Sequence, residues 1–269
     1  MAKKIFYITS EMEPFASTSS LSDYSSDVPL NLQSKGNDVR CLMPKYGFIS
    51  ERKYILREVI RLKEIFLNFD DSELICSAKS AFLPKSRLQV YFLEEKGFFG
   101  ELNNLLYKSK NGRFLSDNDK RFAFYCLASI KMLPNLFWYP NIIICNGWTA
   151  ALIPLLLNIL SKDNKEFAKI KSIYLTNSLN KEVVFDSKNI GLQDGTISSI
   201  KSLDLNQVGC MFADKTIIVN GEKNKISSKL MKLKIFKDSK KCSIVNLDGG
   251  EEIDYSPLFD AIDSTIKSI

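Results

Sequence analysis

Two carboxylates and a run of hydroxyl side chains near the N-terminus are the first residues in the chain that could do chemistry. Glu11 and Glu13 follow a short apolar segment, and behind them lie Ser17, Thr18, Ser19 and Ser20. Hydroxyls can hydrogen-bond a small polar ligand, and a pair of acids can act in glycoside hydrolysis, although two acids on one loop indicate that chemistry only weakly. The alternative for the hydroxyls is a polar turn with a helix N-cap at Ser20 or Ser22.

Histidine is absent from all 269 residues. The chain therefore cannot by itself supply a Ser-His-Asp or Cys-His hydrolase, an HExxH metalloprotease or any imidazole acid–base step. Six cysteines form no CxxC pair and most lie in apolar sequence, which is typical of buried thiols in a reducing compartment. We predict a cytoplasmic protein, with no metal site, no cofactor and no catalytic residue.

The charges indicate neither a nucleic-acid nor a membrane partner. Lys and Arg number 37 against 31 acidic residues, a net charge of +6, and they are scattered. The Lys-rich stretch from Lys229 to Lys241 is interleaved with apolar residues, as on a solvated helix face. The longest apolar stretch, Thr149 to Leu160, is shorter than the roughly 20 residues that a membrane-spanning helix requires, and Pro154 interrupts it.

The hydroxyl-rich loop lies between elements that would place it at a sheet edge. Lys3 to Thr9 is predicted to be a strand, residues 21–35 a helix ended by Gly36, and Asp38 to Met43 a second strand. A strand–helix–strand unit of this length suits a right-handed crossover between parallel strands. The loop would then lie at the carboxyl edge, where open α/β sheets bind ligands.

The rest of the chain continues the alternation of strands and helices. Strand-like segments at 58–69, 74–83 and 89–93 predict a β excursion, and residues 117–133 form the clearest amphipathic helix, with Phe122, Phe124 and Tyr125 in the core. Further strands are predicted at 141–145, 170–175, 215–219 and 242–246, helices at 147–160, 222–232 and 257–269, and a long loop at 180–200. The fold class is α/β, a single Rossmann-like, doubly wound, mostly parallel sheet with a β excursion, and residues 1–269 are treated as one domain.

Several short motifs, in a common order, resemble one family. The opening reads Lys4-Ile-Phe-Tyr-Ile-Thr-Ser-Glu-Met-Glu-Pro-Phe-Ala16, and Arg-Phe-Ala-Phe-Tyr-Cys follows at 121–126. Residues 140–154, 173–177 and 212–216 continue the register. Together they resemble the N-terminal catalytic domain of bacterial glycogen synthases and plant starch synthases, glycosyltransferase family 5. The resemblance implies one half of a GT-B fold and a family activity that transfers glucose from ADP- or UDP-glucose to an α-1,4-glucan.

The sequence departs from the family at positions to which the resemblance assigns ligand contacts. The Lys and two Gly of the family's first loop, which contact the sugar nucleotide, fall at Ser17, Ser19 and Ser20, so a phosphate-attracting cation is lost. Two family histidines fall at Thr149 and Thr176. The predicted vestigial substrate site comprises Ser17, Thr18, Ser19, Ser20, Asp23, Asn146, Trp148, Thr149, Thr176 and Asn177.

Three functions remain open after these comparisons of residues. The chain could be a glucosyltransferase completed by a separate second domain, a silent homologue that binds a glucan, a sugar phosphate or a nucleotide, including a sugar nucleotide, or a subunit that binds a protein on the former interdomain face. For Asn146 and Trp148 the alternative is a buried aromatic ring beside a satisfied amide. Because family members continue into a second nucleotide-binding domain and the sequence ends at Ile269, we expect no synthase activity from the chain alone.

Overall fold

A mixed, mostly parallel sheet of ten strands forms the centre of the described part of the chain. The computed structural model describes residues 2–102, 105–179, 204–221, 225–232, 241–247 and 253–269. The strands are β1 (Lys4–Ile8), β2 (Asp38–Pro44), β3 (Arg57–Glu58), β4 (Ile65–Phe69), β5 (Ser72–Phe82), β6 (Gln89–Glu94), β7 (Ile142–Asn146), β8 (Lys171–Thr176), β9 (Lys215–Asn220) and β10 (Cys242–Asn246). The helices are α1 (Asp27–Ser34), α2 (Glu51–Tyr54), α3 (Asn118–Lys131), α4 (Leu133–Leu136), α5 (Ile153–Leu160), α6 (Leu205–Phe212), α7 (Ile226–Lys232) and α8 (Ser256–Lys267).

The strand order places a switch point beside β1. The order is β10-β9-β8-β7-β1-β2-β6-β5-β3, with β4 paired to β5 alone. Strands β10 to β6 along this order are parallel, and β5 pairs antiparallel with β3, β4 and β6. The chain moves to one side of β1 through β2 and to the other side from β7 onward, so the crevice at their carboxyl ends is a ligand position of open α/β sheets. The predicted fold class is confirmed.

Helices cover the sheet and bury its apolar strands. Helix α3 packs on α5, α5 on α6, and α1 on α8. Because right-handed crossovers that run in opposite directions along a sheet lie on opposite faces, these two groups form two outer layers. Phe122, Phe124 and Tyr125 on α3 are buried, as predicted. The Tyr125 hydroxyl donates to the carbonyls of Thr9 (2.8 Å) and Leu42 (2.9 Å), which anchors α3 to the ends of β1 and β2.

The first predicted helix begins later than its apolar pattern suggests. Helix α1 begins at Asp27, and Ser26 before it makes no side-chain cap, so the predicted N-cap at Ser20 or Ser22 is wrong. The reason is local: the Ser22 hydroxyl donates to the Ser19 carbonyl and the Ser25 hydroxyl to the Leu21 carbonyl. Such side-chain bonds favour successive turns over a regular helix.

Two other predicted elements are each divided. The helix predicted at 147–160 is a 3₁₀ turn (Trp148–Ala150) followed by α5, in which Pro154 occupies the first turn, where its missing amide costs nothing. The strand predicted at 58–69 becomes β3, a 3₁₀ turn and β4. The pairings of β3 and β4 with β5 differ in register by four residues, and the turn Ile60–Leu62 absorbs that difference.

Some sequence expectations concern regions that the structure covers only in part. The predicted loop at 180–200 lies outside the described residues, as does the start of the helix predicted at 222–232, of which α7 is the described portion. All six cysteines are free. No helix within the described ranges combines the length and the apolar character needed to cross a bilayer.

Candidate functional site

The loop after β1 is organised around the carboxylate of Glu11. This side chain is fully buried, and one of its oxygens accepts hydrogen bonds from the backbone amides of Thr18 (2.5 Å) and Ser19 (3.0 Å) and from the Thr18 hydroxyl (3.1 Å). The other oxygen accepts from the hydroxyls of Ser19 (2.7 Å) and Tyr107 (2.7 Å). Five donors from two distant segments therefore hold a single anion.

Tyr107 connects this loop to the segment that follows β6. Its hydroxyl also lies 2.7 Å from the Ser10 hydroxyl, and its ring is buried. Burial raises the pKa of Tyr107 well above its ordinary value, and the negative charge of Glu11 raises it further. The phenol consequently stays protonated at neutral pH and remains a hydrogen-bond donor to the carboxylate.

A buried polar network lies beneath the loop, between β1 and β7. The Asn146 amide nitrogen donates to the hydroxyls of Ser25 (2.9 Å) and Thr9 (3.3 Å), and its oxygen accepts from the Tyr24 hydroxyl (3.3 Å). All four side chains are buried. The amide is satisfied by internal partners, as the structural interpretation of Asn146 predicted, and it fixes the turn of residues 21–26 on the sheet.

Thr149, in the 3₁₀ turn after β7, and Thr176, the last residue of β8, point into the protein. Thr149 is fully buried and its hydroxyl donates to Ser10 at 2.8 Å. Thr176 is also fully buried and donates to the Asn206 side-chain oxygen (3.0 Å) and to the Ser178 carbonyl (3.0 Å). Both hydroxyls are engaged in internal contacts that tie loops together.

Gly147 turns the chain at the end of β7 with φ of 80° and ψ of 171°. A Cβ at this position would lie 2.9 Å from the Leu21 side chain. We expect Gly147→Ala to lower the free energy of unfolding by about 1–2 kcal/mol, because this backbone region is open essentially to glycine alone. Urea denaturation measures the change. The control is Gly221→Ala, where a Cβ meets nothing within 4 Å; equal losses in both variants would contradict the backbone explanation.

A cleft of about 960 Å³ opens between these segments. The Tyr107 and Trp148 rings, which meet edge to face at 5.2 Å, form part of its wall, and Thr18 and Ser19 form another part. Three lysines also line it, Lys108, Lys110 and Lys229. Among the described lining residues there is no carboxylate, and the nearest acidic group on the loop side is Glu11, buried behind Thr18 and Ser19.

Most of the residues that form this site lie in a part of the chain that matches a known protein family. The family model described as the starch synthase catalytic domain matches residues 4–227. The chain belongs to this family. Most of the sheet, the loop after β1 and the ends of β7 and β8 lie within the matched range, whereas Lys229 of the cleft lies just beyond it.

Relatives of this starch synthase family chain are longer than it is. It is 33% identical over 185 residues to a glycogen synthase of Chlorobium limicola, covering 69% of this chain and 38% of that protein. It is 35% identical over 170 residues to a glycogen synthase of Chlorobium luteolum, of which 35% is covered. The chain thus spans little more than a third of the curated relatives that it matches.

The fold likeness extends to a solved starch synthase. The catalytic domain of starch synthase IV from Arabidopsis thaliana, bound to ADP and acarbose, matches with a TM-score of 0.72 at 18% identity. The match covers 91% of this chain and 52% of that domain. At this identity the likeness establishes the α/β architecture of one half of such a synthase and does not extend to the function of single residues.

The predicted site residues of this family chain cluster at one sheet edge but divide in their roles. Three of them, Thr18, Ser19 and Trp148, line the cleft. Asn146, Thr149 and Thr176 are buried beneath it. Of the rest, the Ser20 hydroxyl accepts a hydrogen bond from the Asn177 side-chain amide at 3.1 Å. The Ser17 hydroxyl donates to the Glu13 carboxylate at 3.1 Å. Desolvation, and after it the nearby Glu13 carboxylate, raises the pKa of Asp23.

Sequence reasoning missed the residues that give the cleft its charge. Lys108 and Lys110 belong to no motif, and they reach the cleft because a bridge between Lys108 and Phe114 folds that segment back on itself. Lys229 is exposed, as the predicted solvated helix face requires, but it also lines the cleft. The loop itself lacks the cation that the family has at position 17. Lysines from other segments nevertheless place positive charge in the same cleft.

Proposed function

We propose that this chain is a ligand-binding, catalytically silent member of the starch synthase family. The observation that carries the proposal is the state of Thr149 and Thr176, which the resemblance aligns with two family histidines. Both are fully buried and engaged in internal hydrogen bonds. A threonine held in this way offers no group to stabilise charge on a reacting sugar, since it neither faces the cleft nor titrates near neutral pH.

The charge of the cleft favours a sugar nucleotide over a neutral glucan as the ligand. Lys108, Lys110 and Lys229 line it, and within the described residues none of them forms a salt bridge. Three lysines without acidic partners suit a diphosphate, and the neighbouring Tyr107 and Trp148 rings offer apolar wall for a base or sugar. The related starch synthase IV domain was solved with ADP and acarbose, which makes ADP the natural first probe.

A paired assay tests binding and catalysis separately. With the purified chain we expect no incorporation of glucose from ADP-glucose or UDP-glucose into glycogen. In the same preparation, ADP is expected to raise the unfolding temperature, because a ligand that binds only the folded state stabilises it by mass action. Sustained glucose incorporation would contradict catalytic silence, and an unfolding temperature unchanged by millimolar ADP or maltooligosaccharide would contradict ligand binding.

The alternative of a protein partner on this face has less support. It predicts a contiguous apolar patch beside the loop after β1. Among the described residues that line the cleft, however, Leu105 is the one large apolar side chain that is exposed. Exposed apolar side chains are more frequent on the β excursion, at Ile60, Phe66, Ile75 and Phe82. For location, the six free cysteines support the cytoplasm, where thiols stay reduced.

A further inference from the structure

The loop after β1 presents its polar groups toward an internal anion. The amides of Thr18 and Ser19 are consecutive and both point at one Glu11 oxygen, and the hydroxyls of the same two residues also donate to that carboxylate. Successive backbone amides directed at one point form a concave anion-binding site. In this chain the site already contains an anion, and that anion is covalently part of the protein.

A phosphate could take this position only by displacing the Glu11 side chain. The carboxylate is fully buried, and displacement would separate it from five donors, including the Tyr107 hydroxyl. A buried charge without its hydrogen-bond partners is strongly unfavourable. A second anion beside an undisplaced Glu11 would meet like-charge repulsion at short range.

Lysines of the same cleft offer an incoming anion a different position. The side chains of three exposed lysines, Lys108, Lys110 and Lys229, line the same cleft whose wall is formed elsewhere by Thr18 and Ser19. The Lys108 ammonium lies 5.1 Å from the centre of the Phe114 ring, which places it beside an apolar surface. The cleft therefore has two parts. In the loop after β1 the donors are already paired with the Glu11 carboxylate, whereas the lysines of later segments form a cationic region.

We propose that Glu11 is a specificity-determining residue of this cleft. Its carboxylate acts as an internal anion that keeps phosphate groups off the Thr18 and Ser19 amides and directs them to Lys108, Lys110 and Lys229. The inference rests on the proposed anion-binding function of the cleft and adds to it the position of the anion. Glu11 acts through the loop and contacts no reacting atom, so it is a positioning residue.

Glu13 supplies a matched control for the loss of one negative charge. It lies two residues farther along the same loop, it is exposed, and it accepts a hydrogen bond from the Ser17 hydroxyl at 3.1 Å. Glu13→Gln and Glu11→Gln change the net charge equally and both keep the shape of the side chain. Only Glu11→Gln removes the anion that the two amides hold.

The experiment is a titration of the full chain with inorganic pyrophosphate. Calorimetry measures the affinity, and backbone amide NMR shows which amides respond. We expect Glu11→Gln to bind pyrophosphate about ten-fold tighter than the wild type, because one unit of negative charge leaves the site. Glu13→Gln should stay within about two-fold of the wild type, as exposed charges contribute little. In Glu11→Gln the Thr18 and Ser19 amide resonances should shift on titration.

The wild-type protein decides the matter if Glu11→Gln does not fold. At saturating pyrophosphate its Thr18 and Ser19 amides should not shift, while residues 108–112 should. A shift of those two amides in the wild type, or equal affinities of Glu11→Gln and Glu13→Gln, would overturn the role of Glu11. If the wild type binds no pyrophosphate but Glu11→Gln does, the proposed ligand class of the cleft and the direction of anions to the lysines are wrong, and only the exclusion of anions from the two amides by Glu11 stands.

Discussion

Trp148→Ala is expected to lower the free energy of unfolding by about 3–5 kcal/mol, the usual cost of removing a buried aromatic side chain, and to weaken ADP binding as well. Only 6% of Trp148 is exposed. Its ring packs edge to face on Tyr107 (5.2 Å) and Phe122 (5.0 Å), and it lines the cleft. Removing it leaves a cavity behind Tyr107, the residue that holds Glu11. Urea denaturation and calorimetry with ADP measure the two effects.

The chain's other tryptophan provides the control for general destabilisation. Trp138 is 4% exposed and packs on Phe6 at 5.8 Å. The Arg40 guanidinium lies 4.3 Å from its ring centre, and its indole nitrogen donates to Asp38 at 2.8 Å. Trp138→Ala should lose similar stability while binding ADP as the wild type does at a temperature where both are folded. Equal weakening of ADP binding in both variants would show that the Trp148 effect is not local to the cleft.

The sheet could be predicted from sequence because its signals are local. Strand β7 consists of five buried residues between turn residues, and its neighbours β1 and β8 read in the same way. The errors arose where a side chain or a partner strand overrides the pattern. Hydroxyls of Ser22 and Ser25 bond the backbone and delay α1, and the register of β5 divides the strand predicted at 58–69.

The candidate site was less predictable because its contacts are distant in sequence. The family motif points to Ser17, Thr18, Ser19 and Ser20, whereas for Glu11 beside them the sequence suggests only the weak possibility of a glycosidase acid. Its role depends on Tyr107, which is 96 residues away and carries no motif. Composition excluded imidazole chemistry from the sequence alone, whereas the charge of the cleft required coordinates, since three lysines from two segments meet there.

The lysines that line the cleft should control its affinity for anions. Replacing Lys108, Lys110 and Lys229 together with alanine is expected to weaken ADP binding by about 50-fold, which corresponds to roughly 1 kcal/mol or less for each exposed lysine. The affinity of the wild type should also fall as salt rises, because exposed charges are screened, and the triple variant should lose most of that dependence. Calorimetry with ADP at two ionic strengths measures both quantities.

A triple substitution elsewhere separates the local effect of these lysines from the net charge of the protein. Lys131, Lys165 and Lys267 are exposed and do not line the cleft. Replacing them with alanine lowers the formal net charge of +6 by the same three units, so a long-range field would weaken ADP binding in both variants alike. We expect the control to bind within about two-fold of the wild type, since exposed charges that do not line the cleft are screened from it by salt. Equal loss in the two triple variants would mean that ADP responds to overall charge, and the cleft would then not be its binding site.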